Sequence, residues 1–219
     1  MPRDRLLNTF GRRIGKRLGQ ESRDVITNIL PKYLVNCAEL AQHKSKLYLE
    51  IGFGTGDFLL EYAKNNHETL CVGCDPFLNG VAGVVKKIVA HEITNIKIWP
   101  DDVRLIFAQL PDQIFDIIYI LFPDPWPKRK QHQRRLINNE FLIALYQKMK
   151  PGAQLNIATD HADYANWIES CLQNNPVLFK QNTANEFADV SMTRYYKRAA
   201  SFEHLPHFFK LIKNGHSRA

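Results

Sequence analysis

Three acids and a glycine-rich loop are the first residues in this chain whose types and order can do chemistry. The run E-I-G-F-G-T-G-D, Glu50 to Asp57, follows a short apolar segment and opens a helical one. Glycine at Gly52, Gly54 and Gly56 lets the backbone turn tightly and approach a ligand, because no Cβ stands in the way. Alone, such a loop indicates only a nucleotide-like ligand. The last glycine of a dinucleotide fingerprint would fall at Asp57, which counts against a nicotinamide dehydrogenase. Glu50 ends the first apolar segment, Asp75 ends the second, and Asp102 follows the third with Asp101 beside it. Open α/β sheets bind ligands at the carboxyl ends of their strands. An acid after strand two suits a ribose diol, one after strand three an adenine edge, and one near the first loop a cationic group. Acids also end strands merely because such ends are exposed, but three in succession around one loop favour a binding site.

A second loop points to a reaction. L-F-P-D-P-W-P-K, Leu121 to Lys128, follows the longest apolar segment, FDIIYILF. An acid set among prolines and followed by an aromatic is similar to the D/N-P-P-aromatic loop of amino- and base-methylating enzymes. The prolines restrict the backbone and hold the Asp124 carboxylate in place at little entropic cost on binding. Trp126 offers a flat face to a purine. A rigid turn with Trp126 in the core would explain the prolines, but not the basic run of Lys128, Arg129, Lys130, Arg134 and Arg135 that follows at once.

The elements that must hold these loops are legible in the apolar spacing. Strands are predicted at 46–51, 69–74, 95–99, 115–122 and 153–159, with helices at 57–64, 78–92, 102–110, 134–149 and 162–173 between or after them. A short helix over 24–34 is broken by Pro31, and 151–152 reads as a turn. Strands alternating with helices specify a parallel, doubly wound sheet covered on both faces. The segments 177–181 and 207–212 are predicted as two further strands forming an antiparallel edge. At 219 residues and 45% hydrophobic, the chain fits a single α/β domain with a full core. Residues 24–219 are read as that domain, and 1–23 as a basic N-terminal arm expected to be flexible until it meets phosphate.

Composition narrows the setting. The net charge of +7 is concentrated at Arg3, Arg5, Arg12, Arg13, Lys16, Arg17 and Arg23 and in the run after the proline loop, a pattern that fits a phosphate-rich partner. No apolar run approaches the roughly 18 residues of a membrane span, and no apolar stretch follows the charged start. A cytoplasmic protein with no membrane association and no obligatory protein partner is expected. Cys71 and Cys74 form a C-x-x-C without a second pair or a histidine pair. They read as buried strand thiols, and no metal is expected.

The combination of FPDPWPK with its basic continuation, EIGFGTG upstream and Ala158-Thr159-Asp160 downstream closely resembles the tRNA (guanine-N7-)-methyltransferases, from about Phe10 to Ile212. The resemblance implies a Rossmann-like class I S-adenosylmethionine-dependent fold. It also implies methyl transfer to N7 of guanosine 46 in the tRNA variable loop. By position it implies that Glu50, Gly52, Gly54, Gly56, Asp75 and Asp102 bind the cofactor and that Asp124 is the active-site acid. Lys128, Asp160, Thr193, Arg194, Tyr195 and Tyr196 would bind substrate, and Lys130, Arg134 and Arg135 would contact RNA. The sequence departs from the family pattern in several places. Asp75 stands where Glu is frequent, Gln131 and Gln133 replace a usual His and Lys, and Tyr196 replaces a usual Glu. Methylation of another RNA base, or a non-catalytic RNA-binding protein with a relic cofactor pocket, are the alternatives. Intact Glu50, Asp75, Asp102 and Asp124 argue against decay.

Overall fold

The apolar segments become strands β1 (Leu47–Ile51), β2 (Leu70–Cys74), β3 (Ile96–Trp99), β4 (Phe115–Leu121), β5 (Met149–Thr159), β6 (Phe179–Gln181) and β7 (His207–Lys213). The structure, a computed structural model, describes residues 13–15, 17–181 and 206–215. Among these the strands form one sheet of order β3-β2-β1-β4-β5-β7-β6. The first five strands pair in parallel, while β7 runs antiparallel to both β5 and β6. The expected antiparallel edge is therefore present.

Alternation along the strands divides the core in two. Leu47, Leu49 and Ile51 face one layer, with Phe107, Phe141, Leu145 and Ile168, whereas Tyr48 faces the other, with Phe58, Leu59, Val84 and Ile88. The first layer lies under helices α5 (Val103–Phe107), α6 (Asn139–Lys148) and α7 (Ala162–Gln173). The second lies under α3 (Asp57–Asn65) and α4 (Leu78–Ala90). Burying each such aliphatic or aromatic side chain contributes roughly 1.5–3 kcal/mol. Cys71 and Cys74 fall in opposite layers as buried free thiols, so the strand pleat itself prevents them from sharing a ligand. No group of three or more metal-ligating side chains occurs among the described residues, and no helix there is long and apolar enough to cross a membrane.

Three local expectations are corrected. The segment before Pro31 is not one short helix beginning at Asp24. Helix α1 (Gln20–Asp24) runs into a π-helical turn over Val25–Ile29, where Leu30 N–H bonds to the Val25 carbonyl, and then a 3-10 turn over Leu30–Tyr33. A further helix, α2 (Cys37–Ala41), is capped by the Asn36 side chain, a signal present in the sequence but overlooked. The helix predicted from Arg134 begins only at Asn139, because Asn138 caps it by accepting from Phe141 N–H at 2.9 Å, and Arg129–Arg134 forms a 3-10 turn instead. The turn at Pro151-Gly152 is a bulge inside β5. Gly152 takes φ 76° there, and the pairing with β4 shifts register between Phe115 and Ile117.

Candidate active site

Strand order reverses direction between β1 and β4, and the loops after these strands part to leave a crevice. A cavity of about 570 Å³ occupies it. Its wall includes Gly52 and Gly54 after β1, Asp75 and Phe77 after β2, Asp101 and Asp102 after β3, and Phe122, Asp124 and Trp126 after β4. Residues Gln133 to Ala144, ahead of and within α6, close the far side; among them are Arg134, Arg135 and Phe141. A cavity of this size accommodates a nucleoside-sized ligand.

The first loop is held by backbone geometry. Gly52, Gly54 and Gly56 all take positive φ, at 79°, 55° and 70°. Gly56 has a second constraint: a Cβ there would lie 2.3 Å from Val84 Cγ2, so α4 packs directly on the loop. Asp75 then ties the first loop to the loop that follows β2. One of its carboxylate oxygens accepts from Gly54 N–H at 2.8 Å and the other from Phe77 N–H at 2.8 Å. Burial raises the Asp75 pKa, those two N–H groups pull it down, and Asp124 across the cavity raises it. Asp57, where a dinucleotide fingerprint has glycine, opens α3 and pairs with Lys87 of α4 at 2.6 Å.

Asp102 caps α5, accepting from Arg104 N–H at 2.9 Å. It is also gripped by the Arg104 guanidinium, with Nη2 at 2.7 Å. Asp101 pairs with Arg13, whose carbonyl accepts from Leu78 N–H at 2.8 Å. Gly15 N–H donates to the Asn79 side chain at 2.9 Å. This part of the N-terminal arm therefore lies against the rim formed by Asp101 and the start of α4.

The proline loop is bracketed by two non-glycine residues in the left-handed region, Phe122 at φ 52° and Trp126 at φ 44°. Phe122 N–H bonds to the Ala158 carbonyl at 2.8 Å, which fixes the loop's root to β5. Asp124 is exposed within the cavity and makes no hydrogen bond or ion pair among the described residues. The Arg134 guanidinium lies 5.0 Å from the Trp126 ring centroid, so one face of the indole is already covered.

The cavity thus brings together Gly52, Gly54, Asp75, Asp102, Asp124, Arg134 and Arg135. Glu50 and Gly56 do not line it. Gly56 supports the loop against α4, and Glu50 is buried on the same sheet face as Tyr48, whose hydroxyl donates to it at 2.9 Å. Lys128, Lys130 and Asp160 are exposed outside the cavity wall, on the connections that follow β4 and β5. Thr193, Arg194, Tyr195 and Tyr196 lie outside the described residues. Arg135, expected to contact RNA, is instead buried: its side chain has no exposed surface and is paired with Asp163 of α7. Position in a basic run carried no signal of that inward turn. Phe141 and Ala144 were likewise missed as cavity wall, since helical spacing marks them only as core.

Comparison with known proteins agrees with this geometry. Residues 44–206 match a family described as putative methyltransferase. The chain is 36% identical over 192 residues to the tRNA (guanine-N(7)-)-methyltransferase of Wolbachia pipientis wMel, covering 85% of this chain and 86% of that protein. It is 39% identical over 166 residues to the protein of the same name from Hyphomonas neptunium, covering 73% and 76%. Among solved structures, the 16S rRNA methyltransferase KamB superposes with a TM-score of 0.59 at 14% identity, over 81% of this chain and 92% of that one. That likeness concerns the fold, which is the Rossmann-like class I methyltransferase fold.

Proposed function

The chain belongs to the tRNA (guanine-N7-)-methyltransferase family, and we propose on that premise that it transfers a methyl group from S-adenosylmethionine to N7 of a guanosine in tRNA. The resemblance of its motifs points to guanosine 46 of the variable loop. The observation that carries the reading is the Asp124 carboxylate, exposed in the same cavity as Gly52, Gly54, Asp75 and Asp102.

The cavity suits the cofactor. Gly52 and Gly54 leave room for close backbone approach, and Asp75 keeps lone pairs for a ribose diol beyond those its two backbone donors use. Asp102 offers the adenine edge a carboxylate already oriented by Arg104. Glu50 and Gly56 act from behind, by shaping the loop. When bound, S-adenosylmethionine supplies a sulfonium methyl as electrophile.

What remains for the chain's own residues is orientation. Guanine N7 has an in-plane lone pair and no proton, so no general base is required. Asp124 accepts hydrogen bonds from the guanine N1–H and amino edge, turning N7 toward the methyl group, where attack needs an approach of about 3–3.5 Å. A carboxylate also favours the positive charge that develops on the purine. The free face of Trp126 stacks the base opposite Arg134. Lys128, Asp160 and the segment from Thr193 to Tyr196 complete the substrate site, and Lys130 and Arg134 meet the RNA backbone. The acceptor atom is tested by incubating the chain with labelled S-adenosylmethionine and unmodified tRNA, then applying cleavage chemistry specific for N7-methylguanosine. The expected outcome is label in tRNA and a single cleavage in the variable loop. Label without cleavage would mean that another atom is methylated.

A further inference from the structure

A fully buried guanidinium in a basic run whose Lys128, Arg129 and Lys130 face water calls for a structural cause, because desolvating a charge costs several kcal/mol unless it is well paired. Arg135 is held through two of its three guanidinium nitrogens, while its buried Nη1 has no hydrogen-bond partner among the described residues. Its Nε donates to the Pro125 carbonyl at 2.9 Å, and its Nη2 is paired with Asp163 in the first turn of α7. The rings of Tyr164 and Trp167 lie 5.0 and 5.3 Å from its guanidinium carbon. Those two rings are tied in turn to the chain just beyond Arg135: the Tyr164 hydroxyl accepts from Ile137 N–H at 3.1 Å, and Trp167 Nε1 donates to the Ile137 carbonyl at 2.8 Å. The guanidinium holds the Asp163 carboxyl below the usual carboxylate range.

Pro125 separates Asp124 from Trp126. Its carbonyl belongs to the peptide unit whose orientation sets the φ of Trp126, one of the two left-handed residues that bracket the loop. Such a conformation costs about 1–3 kcal/mol and persists only where surrounding contacts enforce it. Pro123, Pro125 and Pro127 lack N–H groups, so the loop has few donors with which to hold itself. The Pro125 carbonyl is a handle the loop does offer, and Arg135 grips it.

We propose that Arg135, held by Asp163 and by the Tyr164 and Trp167 rings, is a positioning residue that clamps the Pro125–Trp126 peptide and so fixes the Asp124 carboxylate in the cavity, without touching RNA phosphate. The inference rests on the reading of Asp124 given above. The Asp163 partner also neutralises the guanidinium, which would otherwise oppose positive charge developing on a nearby purine.

The test uses the full chain with Arg135→Met, Arg135→Lys and Asp163→Asn. Four quantities are compared with wild type: single-turnover methyl transfer at saturating tRNA and S-adenosylmethionine, tRNA affinity across a salt series, thermal midpoint, and hydrogen exchange of the peptide spanning 122–129. Arg135→Met is expected to slow transfer about 100-fold, the scale of a small misplacement of reacting groups. Arg135→Lys should recover part of that loss, and the salt slope of tRNA binding should stay at the wild-type value. Asp163→Asn removes the ionic partner of the buried guanidinium, so it should lower the thermal midpoint, slow transfer, and speed exchange of the 122–129 peptide more than that of the rest of the chain. This variant decides the matter if Arg135→Met fails to fold. A salt slope reduced by about 0.7–0.9 with the saturated rate preserved would make Arg135 a phosphate contact and overturn the proposal. Unchanged rate and unchanged loop exchange in Asp163→Asn would overturn it as well. Loop exchange is read without methyl transfer, so a wild-type chain inactive on tRNA would sink the functional reading and leave the clamp separately measurable.

Discussion

Glu50 is a carboxyl group taken out of water beside a phenol. Burial pushes its pKa up to about 8, the hydrogen bond from Tyr48 opposes that rise, and Asp75 and Asp57 add to it. The folded value lies above the ordinary 4.5, so the folded chain binds the proton more tightly than the unfolded one. The stability this contributes is fully present below about pH 4.5 and is lost as pH rises through about 8. Thermal midpoints measured from pH 5 to 9 should fall across that window for the wild type and fall much less for Glu50→Gln. Parallel profiles would mean that Glu50 does not titrate there. Asp124 carries the opposite expectation, one of chemistry rather than stability. Asp124→Ala should lower the single-turnover rate by about 100-fold or more while S-adenosylmethionine affinity is retained. A near-normal rate with saturating tRNA would remove its assigned role. Both residues stood out in the sequence by their place, Glu50 at the end of a strand and Asp124 in the loop after one. Arg135 stood out only as a member of the basic run, because its burial depends on Asp163, Tyr164 and Trp167, which lie in a helix far along the sequence.

The elements divide the same way. Strands β1 to β5 were legible because parallel strands covered on both faces are nearly continuous in apolar residues. The antiparallel edge was legible too, from apolar runs near the end. Boundaries controlled by single side chains were not: Asn138 delays α6, Gly152 bulges β5, and Pro31 follows a widened helical turn rather than ending a regular helix. The β1–α3 loop depends on a contact between elements. Gly56→Ala should lower the thermal midpoint and weaken S-adenosylmethionine binding, since its Cβ would fall 2.3 Å from Val84 and its φ of 70° is strained for alanine. Adding Val84→Ala relieves the clash and leaves the strain, so the double variant should lose less stability than the sum of the two singles, by about 0.5–3 kcal/mol. Strict additivity would show that the helix does not press on the loop.

At the scale of the whole molecule, charge and cavity are arranged on one side of the sheet. The carboxyl ends of β2, β3 and β4 carry the acids of the cavity, and the exposed Lys128 and Lys130 follow β4. A net charge of +7 with such clustering supports attraction of a polyanion over distances set by salt. Lys130→Gln should weaken tRNA binding and reduce the salt slope by about 0.7–0.9, as expected for one lost phosphate contact. An unchanged slope would place Lys130 away from the backbone. The arm contributes in a way that composition did not reveal, since Arg13 spends its charge on Asp101 at the cavity rim. The central claim, transfer to guanine N7, is tested most directly by replacing the acceptor guanosine in tRNA with 7-deazaguanosine. This keeps the base's shape and its N1–H and amino edge but substitutes carbon for N7. The account predicts normal binding and complete loss of methyl transfer to that tRNA. Transfer persisting at the wild-type rate would contradict it.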